Sequence, residues 1–166
     1  MKCAYYGVIV QEIVLDTFDR RILDLLQRDC ARTNADIAHE VGLSASQISR
    51  RRERLESIGV IRRYRAEVDT SLAGLGVVAF VRVTLATHSG DHARRFRDLV
   101  RMTAEIQEAH AVTGETDYLL RIVVADLKAL SQLVSEVLLS HKSVARVQSE
   151  IVLESLKDER VLPIGV

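Results

Sequence analysis

Between Thr33 and Ser57 the chain carries two short helical patterns separated only by Gly42-Leu43-Ser44. This feature limits the fold most, because two capped helices joined by three residues must cross sharply and pack on a third element. Thr33 is a good cap for a helix carrying Ile37, Ala38 and Val41, Gly42 stops it, and Leu43 turns inward. Ser44 and Gln47 have the spacing of a capping box, which opens a helix running to about Ser57, with Gly59 as its stop. Upstream, Leu15, Phe18, Ile22, Leu25 and Leu26 recur at three- and four-residue spacing, giving a first amphipathic helix that Asp16 can cap. Downstream, Val60–Val68 reads as a short strand pair, a wing, interrupted by Arg62, Arg63 and Arg65.

The period then changes to two. Val77, Ala79, Val81, Val83 and Leu85 share one face of a strand, and a helix from about Asp91 follows with Phe96, Leu99, Val100 and Thr103 inward. Ile106–Val112 and Tyr118–Val124 are two further strands about a turn at Gly114. Leu127, Leu130, Val134, Val137 and Leu138 form a helical stripe, and Val144–Leu153 is the last strand. The fold class is α+β, an N-terminal winged helix-turn-helix followed by a ferredoxin-like βαββαβ sandwich. Expected boundaries are an extension over 1–14, the DNA-binding domain over 15–65, a linker over 66–76 and a ligand-sensing and oligomerisation domain over 77–166. The sandwich leaves one sheet face bare, with Phe80, Leu119, Val123 and Val152 on it, so a twofold dimer is expected to cover it.

Charge sharpens the functional reading. The whole chain is neutral, yet Ser44–Arg65 holds seven arginines against two glutamates, and 19 of the 23 basic residues are Arg. A guanidinium matches phosphates and guanine edges, so this bias suits a reader of double-stranded DNA, and high genomic GC content would produce it equally. On a helical wheel Ile48 and Leu55 face the core while Ser46, Arg50 and Glu53 face outward. Ser46, Gln47, Ser49 and Arg50, near the helix start, are the expected base contacts, and Ser44, Arg51 and Arg54 the expected phosphate contacts.

These residues carry a resemblance. Leu15-Asp16-Thr17-Phe18-Asp19-Arg20-Arg21-Ile22-Leu23 resembles the opening of the leucine-responsive regulator/asparagine-regulator, or feast/famine, family of transcriptional regulators. Ile37-Ala38-His39-Glu40-Val41-Gly42-Leu43-Ser44 is similar to its helix-turn-helix, and Arg54-Leu55-Glu56-Ser57-Ile58-Gly59-Val60-Ile61 to the end of its recognition helix. Val112-Thr113-Gly114-Glu115-Thr116-Asp117-Tyr118-Leu119-Leu120 resembles its effector motif, and Leu162-Pro163 its close.

The resemblance implies sequence-specific regulation tuned by an amino acid bound between subunits, in dimers that assemble to tetramers or octamers. Carried over by motif, Thr113, Gly114, Glu115, Thr116, Asp117 and Tyr118 are the effector candidates. Their chemistry suits that role, since Gly114 admits close backbone approach, amides can hold a carboxylate, and Asp117 or Glu115 can pair with an ammonium. The competing reading is an ordinary turn in which Asp117 bonds local amides. Two features depart from the family: Arg52 stands where an apolar residue is usual, its role left open between a stem along the core and a phosphate contact, and Met1–Val14 precedes the usual opening. Tyr5, Tyr6, Val8, Ile9 and Val10 have strand-like composition, so this extension is either an added strand or a start codon placed too early.

Other chemistries find little support. His88 and His92 stand four apart but no Cys or carboxylate set completes a metal site with them, no nucleophile–base arrangement or phosphate-cradling glycine motif is present, and neither enzyme activity nor a cofactor is expected. His110 is placed beside the effector turn as a polar lining residue. Cys3 and Cys30 form no framework, and the apolar run Ala4–Val10 is too short for a membrane span, so a cytoplasmic protein is expected. The alternative function is a stand-alone amino-acid-sensing or assembly protein that has lost DNA binding.

Overall fold

The computed structural model describes residues 13–87 and 90–164. The suggested N-terminal strand and His88 lie outside the described residues. The chain divides after Ala66 into two compact units, the second being Glu67–Lys157, with the segment from Asp158 joining the first.

The first unit is built on α1 (Thr17–Arg28), α2 (Asn34–Val41) and α3 (Ala45–Ser57). All three start with a reciprocal capping box, Asp16 with Asp19, Thr33 with Asp36 and Ser44 with Gln47. Gly42 ends α2 at φ +77°, a left-handed conformation that costs glycine little, and its amide closes on the Ala38 carbonyl. Ile22, Leu23, Leu26, Ile37, Ala38, Val41, Ile48 and Leu55 form the core, with Leu43 packed at its edge. Phe18, expected inside, is instead more than a third exposed, and Asp19 takes the buried place beside Ile22.

Two further expectations are corrected here. Among the described residues Val60–Val68 forms no strand pair, because the Ile61 amide is already used on the Leu55 carbonyl and Arg62–Arg65 are exposed with no facing ladder. The C-terminal segment, expected to stay with the sandwich, returns to α1. There Arg20 donates to the Ile164 carbonyl at 2.8 Å, and Gln27 accepts from the Leu162 amide at 2.7 Å.

The second unit runs β1 (Val77–Leu85), α4 (Gly90–Met102), β2 (Ile106–Ala111), β3 (Tyr118–Val124), α5 (Leu127–Gln132) and β4 (Val144–Ile151). Its antiparallel sheet has the order β2-β3-β1-β4, the ferredoxin-like arrangement expected for βαββαβ. The odd-numbered positions of β1 from Ala79 to Leu85 are buried against Phe96, Leu120, Ile122, Leu130 and Leu138, as period two requires. After α5 the helix continues over Leu133–Leu138 in π register, where Ser135 Oγ donates to the Ser131 carbonyl at 2.8 Å.

The other sheet face carries Phe80, Leu119 and Val123 as expected, together with Val78, while Val152 lies just past the end of β4 with its amide on the Val78 carbonyl, and the face is less bare than the sequence suggested. Val123 is buried in the single chain, and Arg82 and Glu150 pair across adjacent strands at 3.2 Å. Phe80 stays 38% exposed between Arg121 on β3 and Glu150 on β4.

Candidate nucleic-acid interface and effector turn

Asp19 organises the helix-turn-helix. It is 1% exposed, so its charge requires compensation, and two arginines of α3 supply it. Arg51 Nη1 donates to Oδ1 at 2.7 Å and Arg54 Nη1 to Oδ2 at 2.9 Å. Arg51 also reaches the Asp16 carboxylate at 2.7 Å and lies over the Phe18 ring at 5.3 Å. Two of the three expected phosphate contacts, Arg51 and Arg54, are therefore engaged in clamping α3 to α1.

Burial alone would raise the Asp16 carboxyl, but the Asp19 amide and the Arg51 guanidinium outweigh it and hold it below its ordinary 3.8. A carboxylate with a depressed folded-state value stabilises the fold above pH 3.8, and that contribution is lost as pH falls through the folded value. Acid unfolding of the first unit, followed by its amide signals, is expected to begin at higher pH in Asp16→Asn than in the unaltered chain.

Arg52 has a defined role. Its Nη1 donates to Asn34 Oδ1 of α2 at 2.8 Å, and its guanidinium lies over the Tyr64 ring at 5.2 Å. It is a strut between three segments, and nothing in the sequence near it names either partner.

The remaining candidates stay on the outer surface of α3. Ser44 is the cap, accepting the Gln47 amide at 3.3 Å, while Gln47 Oε1 accepts the Ser44 amide at 2.9 Å. Gln47 thus has its carbonyl committed to the helix start and its amide nitrogen exposed. Ser46 lies 3.1 Å from the Ser44 hydroxyl, and Ser49 donates to Glu53 at 3.0 Å. Arg50 is exposed with no side-chain partner among the described residues.

In the second unit the effector candidates occupy the β2–β3 connection. Gly114 has φ +118°, a region most side chains avoid, and Thr113, Gly114 and Glu115 are exposed. Asp117 anchors the turn. Its carboxylate accepts the Leu85 amide at 2.8 Å and its own amide donates to the Val83 carbonyl at 3.0 Å. The amide-bonding reading of Asp117 thus describes its geometry, though the amide it holds is 32 residues away. Tyr118 packs on Phe96 with ring centroids 4.8 Å apart and planes tilted by 42°. His110 is exposed, facing Glu108 of its own strand at 3.5 Å. Among the described residues no three His, Cys, Asp or Glu side chains gather to hold a metal ion, and no helix is long and apolar enough to cross a membrane.

Comparison with known proteins matches both units. Residues 15–56 match the AsnC-type helix-turn-helix domain and residues 78–162 the Lrp/AsnC ligand binding domain. The chain is 36% identical over 150 residues to the glutamate uptake regulatory protein of Zymomonas mobilis, covering 90% of this chain and 91% of the relative. It is 35% identical over 150 residues to the leucine-responsive regulatory protein of Escherichia coli K12, covering 90% and 92%. Among solved structures, a transcriptional regulator of Neisseria meningitidis in complex with L-Met superposes with TM-score 0.88 at 38% identity, covering 91% of this chain and 97% of that one. An AsnC family regulator of Agrobacterium tumefaciens gives 0.85 at 35% identity, covering 90% and 97%.

Proposed function

The chain belongs to the Lrp/AsnC family of transcriptional regulators, and from that membership we propose how its residues carry the activity. It is a regulator with a helix-turn-helix DNA-binding domain and an amino-acid-binding domain. The observation that carries the detailed reading is the outer surface of α3, where Ser46 and Arg50 are exposed beside a rigidly capped helix start.

In this reading Ser46, Ser49, Arg50 and the amide nitrogen of Gln47 meet base edges in the major groove, while Ser44 meets a phosphate. Arg51 and Arg54 contribute by fixing α3, since their guanidiniums are occupied by Asp19. Two subunits present two such helices to half-sites about one helical turn apart. The protein acts without catalysis of its own, in the cytoplasm.

The amino acid binds at the β2–β3 turn. The neighbouring amides of Thr113, Gly114 and Glu115 receive its carboxylate, Glu115 and Thr116 meet its ammonium, and Tyr118 forms an apolar wall. Asp117 holds the turn to β1 from beneath. The regulator from Neisseria meningitidis was solved with L-Met, which supports an amino acid of that kind here. Coupling between effector and DNA of about 1–3 kcal/mol is ordinary for such a device.

Selection from a random-sequence duplex library, with affinity for the winner measured against salt and with pooled amino acids, tests the proposal. A palindromic consensus bound far above random sequence is expected, with affinity shifted by amino acids. Absence of any enriched sequence would leave a stand-alone sensing protein.

Two variants refine it. Arg50→Ala is expected to cost about 1–3 kcal/mol on the selected duplex and to relax preference at one base position, with unfolding unchanged. Equal loss on random duplex would assign Arg50 to phosphate instead. Dimers are proposed to pair through the Phe80 face and to assemble further. Phe80→Glu is accordingly expected to weaken association by about 2 kcal/mol in sedimentation equilibrium. Undiminished association would move the interface elsewhere.

A further inference from the structure

We propose that Arg62, Arg63 and Arg65 form a separate grip on duplex DNA, a basic strap beside α3 that holds phosphates without reading bases. This rests on the reading of α3 as the DNA-facing helix and adds a contact outside it.

The first support is how the first unit uses its arginines. Arg20 is bonded to the Ile164 carbonyl, Arg28 to Asp24, Arg32 to Glu40, Arg52 to Asn34, and Arg51 and Arg54 to Asp19. Arg62, Arg63 and Arg65 are exposed and, like Arg21 on α1 and Arg50 on α3, have side chains with no partner among the described residues. Three exposed arginines within four residues, none of them in an ion pair among the described residues, are the electrostatic signature of a polyanion contact.

The second support is that the backbone bearing them is held in place. The Ile61 amide donates to the Leu55 carbonyl at 3.0 Å, and Tyr64 Oη donates to Glu56 Oε1 at 2.8 Å beneath the Arg52 guanidinium. The segment is thus tied to α3 on both sides of Arg62 and Arg63. Among the described residues, 62–65 belong to no ladder and their amides have no backbone acceptor, which leaves them to phosphate oxygens alongside the guanidiniums.

Placement selects DNA as the occupant. At about 100° per residue, Arg52 and Glu56 lie on the flank of α3 next to Ser49, while Arg51 and Arg54 lie on the opposite flank facing α1. A helix in the major groove has a phosphate backbone along each side. On the α1 side the guanidiniums are committed to Asp19, whereas on the Ser49 side the strap offers three free ones. The cleft of about 280 Å³ between them contains Glu56, which repels anions, so the phosphates meet the outer arginine heads.

The test compares the full-length protein with the Arg62→Ala/Arg63→Ala/Arg65→Ala variant and the corresponding triple lysine variant. Affinities for the selected duplex and for a random duplex of equal length are measured from 50 to 200 mM salt, a range in which phosphate contacts report strongly. The alanine variant is expected to bind both duplexes more weakly by similar factors. Its plot of log affinity against log salt should be shallower by about 0.9 for each phosphate no longer neutralised. Lysine should restore the slope, and thermal unfolding should be unchanged because these side chains bond to nothing among the described residues. An unchanged slope in the alanine variant, with the unaltered protein binding steeply, overturns the strap alone. No salt-dependent binding by the unaltered protein overturns the α3 reading and the strap with it.

Discussion

Asp19→Ala is expected to destabilise the helix-turn-helix unit by about 3 kcal/mol, at the lower end of the range for breaking a buried ion pair. The substitution removes the acceptor for Arg51 and Arg54 and one half of the α1 capping box. The lower end applies because the Arg51 and Arg54 side chains are 28% and 48% exposed and can turn to water once released. Urea unfolding, followed through amide signals of the first unit, measures the loss. Arg51→Ala, alone and combined with Asp19→Ala, supplies a coupling energy that isolates the pair. If Arg51 served phosphates instead, Arg51→Ala would leave stability intact and flatten the salt dependence of DNA binding. The geometry predicts the reverse, reduced stability with the slope retained. A midpoint for Asp19→Ala equal to that of the unaltered chain would mean the pair contributes nothing to holding α3.

The second unit is expected to be most sensitive at Phe96, where alanine should cost about 3–5 kcal/mol. Phe96 is fully buried and packs with Val81, Val83, Leu120 and Ile122 in the core between helices and sheet. Its ring also supports Tyr118 at the exit of the effector turn. Phe96→Leu, which keeps most of the volume, should lose about 1 kcal/mol, of which the aromatic pair is a large share. Calorimetric amino-acid titration of the leucine variant separates the two roles. Weaker effector binding at near-normal stability would tie Tyr118 to the site, whereas unchanged binding would make Phe96 a core residue only.

Where the sequence was legible, the reason is locality. Asp16, Thr33 and Ser44 were identified as caps because a capping box is closed within four residues. The β1 face was readable because alternation is fixed by the backbone pleat, and β-α-β-β-α-β order then leaves few ways to build a sheet. The outward position of Ser46 and Arg50 followed from helical geometry about Ile48 and Leu55.

Failures fell where a local signal was overridden by a distant partner. Phe18 fitted the apolar stripe of α1, but Asp19 won the inner position once two guanidiniums from α3 could neutralise it. Val60–Val68 had a strand-like start, yet a strand needs a facing ladder, and none is present there among the described residues.

The sequence by itself determined the helices and the four sheet strands, their order, the caps of the first three helices and the presence of a basic, exposed helix, because all of these follow from neighbours within about one or two turns. It carried the acids and arginines but not their pairing. Only the tertiary structure decided that Arg51 and Arg54 hold Asp19, that Arg52 braces Asn34 and Tyr64, and that Asp117 grips Leu85. Those partners lie 12 to 35 residues away. A guanidinium is committed to structure or left free for DNA according to which carboxylate the folded chain brings within bonding distance.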